Sequence, residues 1–205
     1  MNKKFELVAL DIDGTILDDN SNFSNNTIRK LKELIQKKVN VILATGRTYT
    51  SAKNIMHRMG INVPIISYNG AKITLPSQGN IHDKRLSTEE VRSIVEYAEK
   101  RNIYYKLYID DVMYVKQADN NSMEFAKLHG IQYDVIRDFN EIMSKEANMI
   151  VYIYKDLADK TVFDEFRKFD ISITSSTPRV YEFMAKGSTK GMALKKLSGY
   201  LGVNK

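Results

Sequence analysis

The stretch Phe5-Glu6-Leu7-Val8-Ala9-Leu10-Asp11-Ile12-Asp13-Gly14-Thr15 decides the fold of this chain. A short, β-prone apolar run leads into two carboxylates, a glycine and a hydroxyl, which is typical of a buried parallel strand followed by a tight turn. Open α/β sheets bind ligands at the carboxyl ends of their strands. Because two neighbouring acids repel each other and buried charge needs compensation, the turn predicts a divalent cation and phosphoryl-transfer chemistry.

Length and composition indicate a globular protein. The chain has 205 residues, 43% hydrophobic and 27% charged, enough for one large domain or two small ones. It has no cysteine, which excludes disulfides and thiolate metal sites and is typical of the reducing cytoplasm. Acidic residues interrupt the first apolar segment before it reaches the length of a signal peptide or a membrane span. We therefore expect a cytoplasmic protein that binds no membrane.

Strand and helix signals alternate along the first third of the chain. Apolar strand patterns occur again over residues 39–44 and 64–67, and helical periodicity covers residues 27–38 and a segment that ends near residue 59. A hairpin over residues 72–81 follows. Repeated βα units predict an α/β fold with a Rossmann-like, doubly wound parallel sheet.

After the hairpin the pattern changes, which indicates a separate α+β unit. Ser87-Thr88-Glu89-Glu90 is a capping box that begins a helix, and paired strands follow it. We predict an α+β cap domain over residues 83–178, inserted between the two parts of a core domain at 1–82 and 179–205. We expect an antiparallel cap sheet with helices on one face, and a strand over residues 180–184 that returns the chain to the core.

Three motifs stand at the ends of predicted elements. Asp11-Ile12-Asp13-Gly14-Thr15 follows the first strand, Ala44-Thr45-Gly46-Arg47 ends the second, and Lys190 begins the last helix. In this order they resemble the haloacid dehalogenase-like hydrolases, specifically the Cof-type phosphatases with a large α+β (type IIB) cap. The resemblance covers essentially the whole chain. It implies a phosphoric monoester hydrolase that acts through an aspartyl-phosphate.

The resemblance assigns roles to the matching residues. It implies that Asp11 is the nucleophile and Asp13 the general acid and base, while Thr45, Gly46 and Lys190 bind the transferring phosphoryl group. It also implies Mg²⁺ on the Asp11 carboxylate and the Asp13 backbone carbonyl, since this ion favours oxygen ligands. The residue types suit that chemistry, because a carboxylate nucleophile divides hydrolysis into two displacements and a second carboxyl can give and take the proton.

Two further residues, Arg47 and Asn69, have alternative assignments. Arg47 is either a contact to substrate or phosphate, or a helix-start residue with structural partners. Asn69 is a turn residue by default and a neighbour of the active site by its family position, so both are candidate substrate contacts. The three histidines lie on different elements without a paired spacing and receive no role.

The chain departs from the family pattern at its C-terminal end. Family members carry a fourth motif, a Gly-Asp followed by another Asp, whose carboxylates complete the metal site. No acidic residue follows Glu182 in this sequence. We therefore expect a truncated form that binds Mg²⁺ poorly, hydrolyses phosphoesters slowly or not at all, and self-associates through the exposed edge of the first strand.

The predicted function is Mg²⁺-dependent hydrolysis of small phosphorylated metabolites, chiefly sugar phosphates. Two alternatives stay open: a sugar phosphomutase, which resembles these enzymes in core and cap, and a non-catalytic binding module that keeps the fold. The net charge of +6 permits nucleic-acid binding, but it equally suits an enzyme that attracts anions. The sequence contains no recognised nucleic-acid module, so we expect no nucleic-acid partner.

Overall fold

Two separate sheets organise the chain in the computed structural model, which describes residues 5–18 and 20–203. The first unit comprises the residues up to Asp83 and those from Thr189 onward, and the second unit is Lys84–Ser188. Within the described residues, no helix combines the length and the apolar character needed to cross a membrane.

The elements alternate along the first unit and cluster in pairs along the second. The strands are β1 (Leu7–Leu10), β2 (Asn40–Ala44), β3 (Ile65–Ser67), β4 (Lys72–Leu75), β5 (Gly79–Asp83), β6 (Tyr104–Ile109), β7 (Val112–Val115), β8 (Gln132–Val135), β9 (Met149–Ile153), β10 (Ile171–Thr177) and β11 (Val180–Ala185). The helices are α1 (Asn25–Gln36), α2 (Tyr49–Arg58), α3 (Thr88–Arg101), α4 (Asn120–His129), α5 (Phe139–Met143), α6 (Thr161–Glu165) and α7 (Lys190–Tyr200). Short 3₁₀ turns cover Tyr68–Gly70 and Phe166–Lys168.

The sheet of the first unit brings three strand ends to one edge. Its order is β1-β2-β3-β4-β5, in which the first three strands are parallel and the last two are antiparallel to their neighbours. Leu10 lies opposite Leu43, and Leu43 lies opposite Ile65. The loops after β1, β2 and β3 therefore leave the sheet side by side, where α/β sheets bind their ligands.

Helices cover both faces of this sheet. Leu31 of α1 and Ile55 of α2 pack against Leu43 on one face, and Ala193 and Leu197 of α7 pack on the other. This arrangement confirms the predicted α/β, Rossmann-like fold. Among the described residues no strand pairs with the outer edge of β1, while self-association through that edge stays a prediction.

The second unit contains a six-stranded sheet in the order β10-β11-β9-β6-β7-β8. Its strands are antiparallel except for the parallel pair β7–β8, because α4 connects these two strands as a crossover. Side chains of α3, α5 and α6 pack on one face against Tyr105 and Leu107. On the other face, the ammonium of Lys106 lies 3.8 Å from the ring centroid of Phe125 in α4, and burial lowers the pKa of Lys106. The predicted antiparallel sheet is confirmed for four of its five strand pairings. The prediction that helices lie on one face was wrong, because α4 packs on the other.

The structure places several boundaries differently from the sequence pattern. β11 pairs with β9 and β10, so the chain leaves the second unit after Ser188 and not at residue 179. Between β9 and β10 the chain forms only the short helix α6 and a 3₁₀ turn. β8 and α5 were not predicted, because a half-exposed strand of four residues and a helix of five carry almost no periodic signal.

Candidate active site

Asp11 lies directly after β1, at the carboxyl edge of the first sheet. Its Oδ1 accepts a hydrogen bond from the Ile12 amide at 2.7 Å, and its Oδ2 accepts one from the Lys190 ammonium. The Asp11 side chain is 40% exposed and that of Lys190 36%. The carboxylate is thus oriented by two donors and still reachable from solvent, as a nucleophile must be.

In the turn after β1, Asp11 and Asp13 flank the buried residue Ile12. Ile12 is fully buried, and its carbonyl accepts bonds from the amides of residues 15–17 at 3.4, 3.0 and 2.8 Å. Burial of one apolar side chain and closure of the turn on its carbonyl fix the backbone locally. The two flanking carboxylates are consequently held on the exposed side of this turn.

Lys190 reaches this edge from the far end of the chain. It is the first residue of α7, whose N-cap Thr189 accepts a bond from the Met192 amide at its Oγ1 (3.1 Å). The start of α7 is therefore well defined by capping. The lysine and the carboxylate are 179 positions apart in sequence, so only the fold brings them together.

Thr45 is fully buried at the end of β2. Its Oγ1 accepts a bond from the Arg47 amide at 3.1 Å, and its amide donates to the Ile66 carbonyl at 2.9 Å. A hydroxyl that accepts one bond still has a proton to donate. Thr45 is thus a rigidly held donor on the loop beside that of Asp11.

Arg47 donates hydrogen bonds to both carboxylate oxygens of Asp13. Arg47 Nε donates to Asp13 Oδ2 at 2.9 Å and Nη2 donates to Oδ1 at 2.6 Å, while Nη1 donates to Ser51 Oγ at 3.2 Å. The Arg47 side chain is 12% exposed, and that of Asp13 is 58% exposed. A bidentate pair with one largely enclosed partner fixes the plane of the carboxylate. Sequence reasoning left the partners of Arg47 open, and the structure places Asp13 among them.

Asn69 lies against the Thr45 loop. Its amide donates to the Thr45 carbonyl at 3.1 Å, and a Cβ at Gly46 would lie 2.8 Å from Asn69 Oδ1. Position 46 therefore admits only glycine without displacing the Asn69 amide group. The structure places Asn69 beside the phosphate-binding candidates, and its role as a substrate contact stays a prediction.

The donor set suits a magnesium ion shared with a phosphorylated ligand. Among residues 5–18 and 20–203, no three His, Cys, Asp or Glu side chains cluster as a metal site. The expected ligands are one carboxylate, Asp11, and one backbone carbonyl, that of Asp13. Mg²⁺ is commonly bound through one or two carboxylates together with substrate phosphate and water. The residues present fit this kind of site, in which the protein supplies few of the ligands, and not a site in which it supplies all of them.

Comparison with known proteins places the chain in a family. Residues 8–205 match the profile of the haloacid dehalogenase-like hydrolases. The chain belongs to this family. Its relatives include a 5-amino-6-(5-phospho-D-ribitylamino)uracil phosphatase of Bacillus subtilis, 27% identical, with 99% of this chain and 78% of that protein aligned. A putative phosphatase of Haemophilus influenzae is 29% identical over 96% of this chain and 74% of its own.

Solved structures support the same fold. A haloacid dehalogenase-like hydrolase from B. subtilis superposes with a TM-score of 0.87 at 21% identity, covering 98% of this chain and 80% of its own. A sugar phosphatase of haloacid dehalogenase subclass IIB superposes with a TM-score of 0.80 at 19% identity, over 97% of this chain and 77% of its own. The predicted family is thus confirmed by the match over residues 8–205, and these superpositions confirm its fold.

Proposed function

We propose that this family member is a Mg²⁺-dependent phosphatase that hydrolyses small phosphorylated metabolites, chiefly sugar phosphates, through an aspartyl-phosphate. The observation that carries the proposal is the Lys190 ammonium on the Asp11 carboxylate. A phosphate dianion cannot approach a carboxylate unless cations offset the repulsion. A lysine held on the nucleophile itself supplies such a cation where phosphorus must arrive.

In the first displacement, an Asp11 carboxylate oxygen attacks phosphorus and the bond from phosphorus to the leaving oxygen breaks. The Asp13 carboxyl gives its proton to that oxygen, and the alcohol departs. In the second, water attacks phosphorus, Asp13 takes the water proton, and the Asp11–phosphorus bond breaks. Each step needs one proton transfer, so a single carboxyl with alternating protonation serves both.

Three kinds of donor face the charge that develops on the phosphoryl oxygens. They are the Lys190 ammonium, the Thr45 hydroxyl and the main-chain amides of the two loops. Mg²⁺, when bound at Asp11 and the Asp13 carbonyl, would add a second cation for the same phosphoryl oxygens. The names of the relatives support a small phosphorylated substrate, since one acts on a ribitylaminouracil phosphate and one structural neighbour is a sugar phosphatase.

The proposal is tested by the release of inorganic phosphate from a panel of sugar phosphates and p-nitrophenyl phosphate, with Mg²⁺ or with EDTA. We expect Mg²⁺-dependent release slower than the roughly 10 s⁻¹ usual for enzymes. Conversion of a sugar 1-phosphate to its 6-phosphate without phosphate release would instead support a phosphomutase. Phosphate binding without turnover of any ester would support a binding module.

Magnesium and phosphate are expected to bind cooperatively. The protein offers few ligands of its own, so phosphate oxygens would supply further ligands to a bound Mg²⁺ and should raise its affinity about tenfold. Calorimetric titration of Mg²⁺ with and without inorganic phosphate measures this factor, and the reverse titration must give the same value. Equal Mg²⁺ affinities in the two titrations, corrected for magnesium phosphate in solution, would contradict the shared site.

Arg47 is expected to act by orienting Asp13. Lysine cannot hold both carboxylate oxygens, so we expect kcat to fall about tenfold in Arg47→Lys and about 100-fold in Arg47→Ala, with KM little changed. Steady-state kinetics with a sugar phosphate measure both constants. Arg29→Lys, on the exposed face of α1 beside Glu33, is the control with unchanged kinetics. A rise in KM without loss of kcat would mean that Arg47 binds substrate instead.

A further inference from the structure

The loop after β3 has an unusual backbone. Tyr68, Asn69 and Gly70 have φ angles of +51°, +53° and +108° in succession. Non-glycine residues seldom adopt positive φ, and a fully buried tyrosine that does so needs strong support from its surroundings. Strain of this kind accumulates where a fold holds neighbouring groups in a required position.

One side of this loop is bonded to the loop after β2. The Tyr68 amide donates to the Arg47 carbonyl at 2.9 Å, and the Asn69 amide donates to the Thr45 carbonyl at 3.1 Å. Two consecutive backbone bonds leave little freedom between the loops. The loop after β3 is therefore fixed to the backbone that carries the phosphate-binding candidate Thr45.

The other side of the loop touches the start of α7. A Cβ at position 70 would lie 2.3 Å from the Thr189 carbonyl oxygen, 2.4 Å from its carbon and 3.0 Å from the Lys190 nitrogen. All three atoms belong to the backbone, so no side-chain rotation could make room. The N-terminus of α7 can lie where it does only because residue 70 lacks a side chain.

We infer that Gly70 is a positioning residue, which sets the Lys190 ammonium on Asp11 by letting the N-terminus of α7 rest on the loop after β3. This inference rests on the proposed function for its catalytic meaning. A methyl group at position 70 pushes Thr189 and Lys190 back by about 1 Å, and misplacements of that size cost catalysis heavily. The loop after β3 contacts the start of α7 on one side and the backbone of Thr45 on the other. It therefore fixes the position of Lys190 relative to Thr45.

The direct test measures the Lys190–Asp11 pair without any activity. A water-soluble carbodiimide joins a carboxylate and an amine only when they are in contact, and peptide mass spectrometry quantifies the Lys190–Asp11 amide. We expect the yield to fall about tenfold in Gly70→Ala, because the ammonium is displaced from contact. Gly79→Ala is the matched control, since Gly79 also has positive φ (+76°) but a Cβ added there would meet no atom within 4 Å.

A double-mutant cycle separates positioning from general damage. If Gly70 acts through Lys190, Gly70→Ala lowers kcat/KM about 100-fold in the wild type and adds little in Lys190→Ala. Equal losses in both backgrounds, or an unchanged cross-link yield, would overturn the inference. If no ester is turned over, the proposed function fails while the cross-link still decides the role of Gly70.

A second variant covers the case in which Gly70→Ala does not fold. Thr189→Gly makes the backbone before α7 more adaptable, and glycine is tolerated at an N-cap, so the start of the helix can shift to accommodate the added methyl group. In that background, Gly70→Ala should fold, as checked by near-UV circular dichroism, and should still reduce the cross-link relative to Thr189→Gly alone. An undiminished yield in the folded double variant would contradict the positioning role.

Discussion

Asp11→Asn should eliminate phosphate release. The amide keeps the shape of the carboxylate but cannot form the aspartyl-phosphate, so we expect kcat to fall about 10⁴- to 10⁶-fold, as when other enzymes lose a covalent nucleophile. The loss should be similar for sugar phosphates and for p-nitrophenyl phosphate, because both must be attacked by the same oxygen. Discontinuous assays of phosphate release, with at least micromolar enzyme, give the range needed to measure it.

The covalent intermediate gives this prediction a second readout. Acid-quenched enzyme should carry phosphorus on the peptide that contains Asp11 in the wild type, and none in Asp11→Asn. Asp18→Asn is a matched control, since Asp18 lies near the same turn and, within the part of the chain that the structure describes, its Oδ1 accepts bonds from the amides of Asn20 and Asn22 at 2.9 Å. Wild-type turnover by Asp11→Asn would remove the basis of the proposed mechanism.

The fold was predictable where local signals were strong. The parallel strands β1 to β3 are short apolar runs, and α3 begins one residue after Ser87 because the capping box is complete. These patterns depend on neighbours in sequence alone. By contrast, β11 belongs to the sheet of the second unit because it pairs with β9 and β10. No local sequence pattern shows which of the two sheets a strand will join.

The residues of the candidate site could be predicted from the sequence, but the contacts between its loops could not. Asp11, Asp13, Thr45 and Lys190 belong to recognisable motifs, and the structure places the Lys190 ammonium on the Asp11 carboxylate. The Arg47–Asp13 pair joins two loops 34 positions apart, so its geometry could not be predicted from either loop.

The sequence contains no pattern that predicts the left-handed backbone at Tyr68 and Asn69. Neither residue type demands positive φ, although Asn tolerates it, and the dipeptide Asn69-Gly70 read as an ordinary turn. The backbone bonds to the loop after β2 and the close approach of Gly70 to the start of α7 together explain why the turn has this shape. Such supporting residues become visible when the packing of backbone against backbone is known.

Asp13→Asn should affect substrates according to their leaving groups. A sugar alkoxide cannot depart without a proton, so loss of the general acid should lower kcat for sugar phosphates about 10²- to 10⁴-fold. A p-nitrophenolate departs without protonation, so Asp11 should still be phosphorylated at a nearly normal rate. Since water then lacks its general base, the aspartyl-phosphate should accumulate.

This combination has a distinct kinetic signature. Stopped-flow absorbance of Asp13→Asn with p-nitrophenyl phosphate should show a burst of one p-nitrophenolate per active site, followed by slow turnover. Sugar phosphates should give no burst, because without the Asp13 proton the first displacement is the slow step. Equal losses for both substrates without a burst would assign Asp13 to orientation of Asp11 or of the metal. The burst therefore distinguishes a proton-transferring Asp13 from one that only shapes the site, and it does so within one variant.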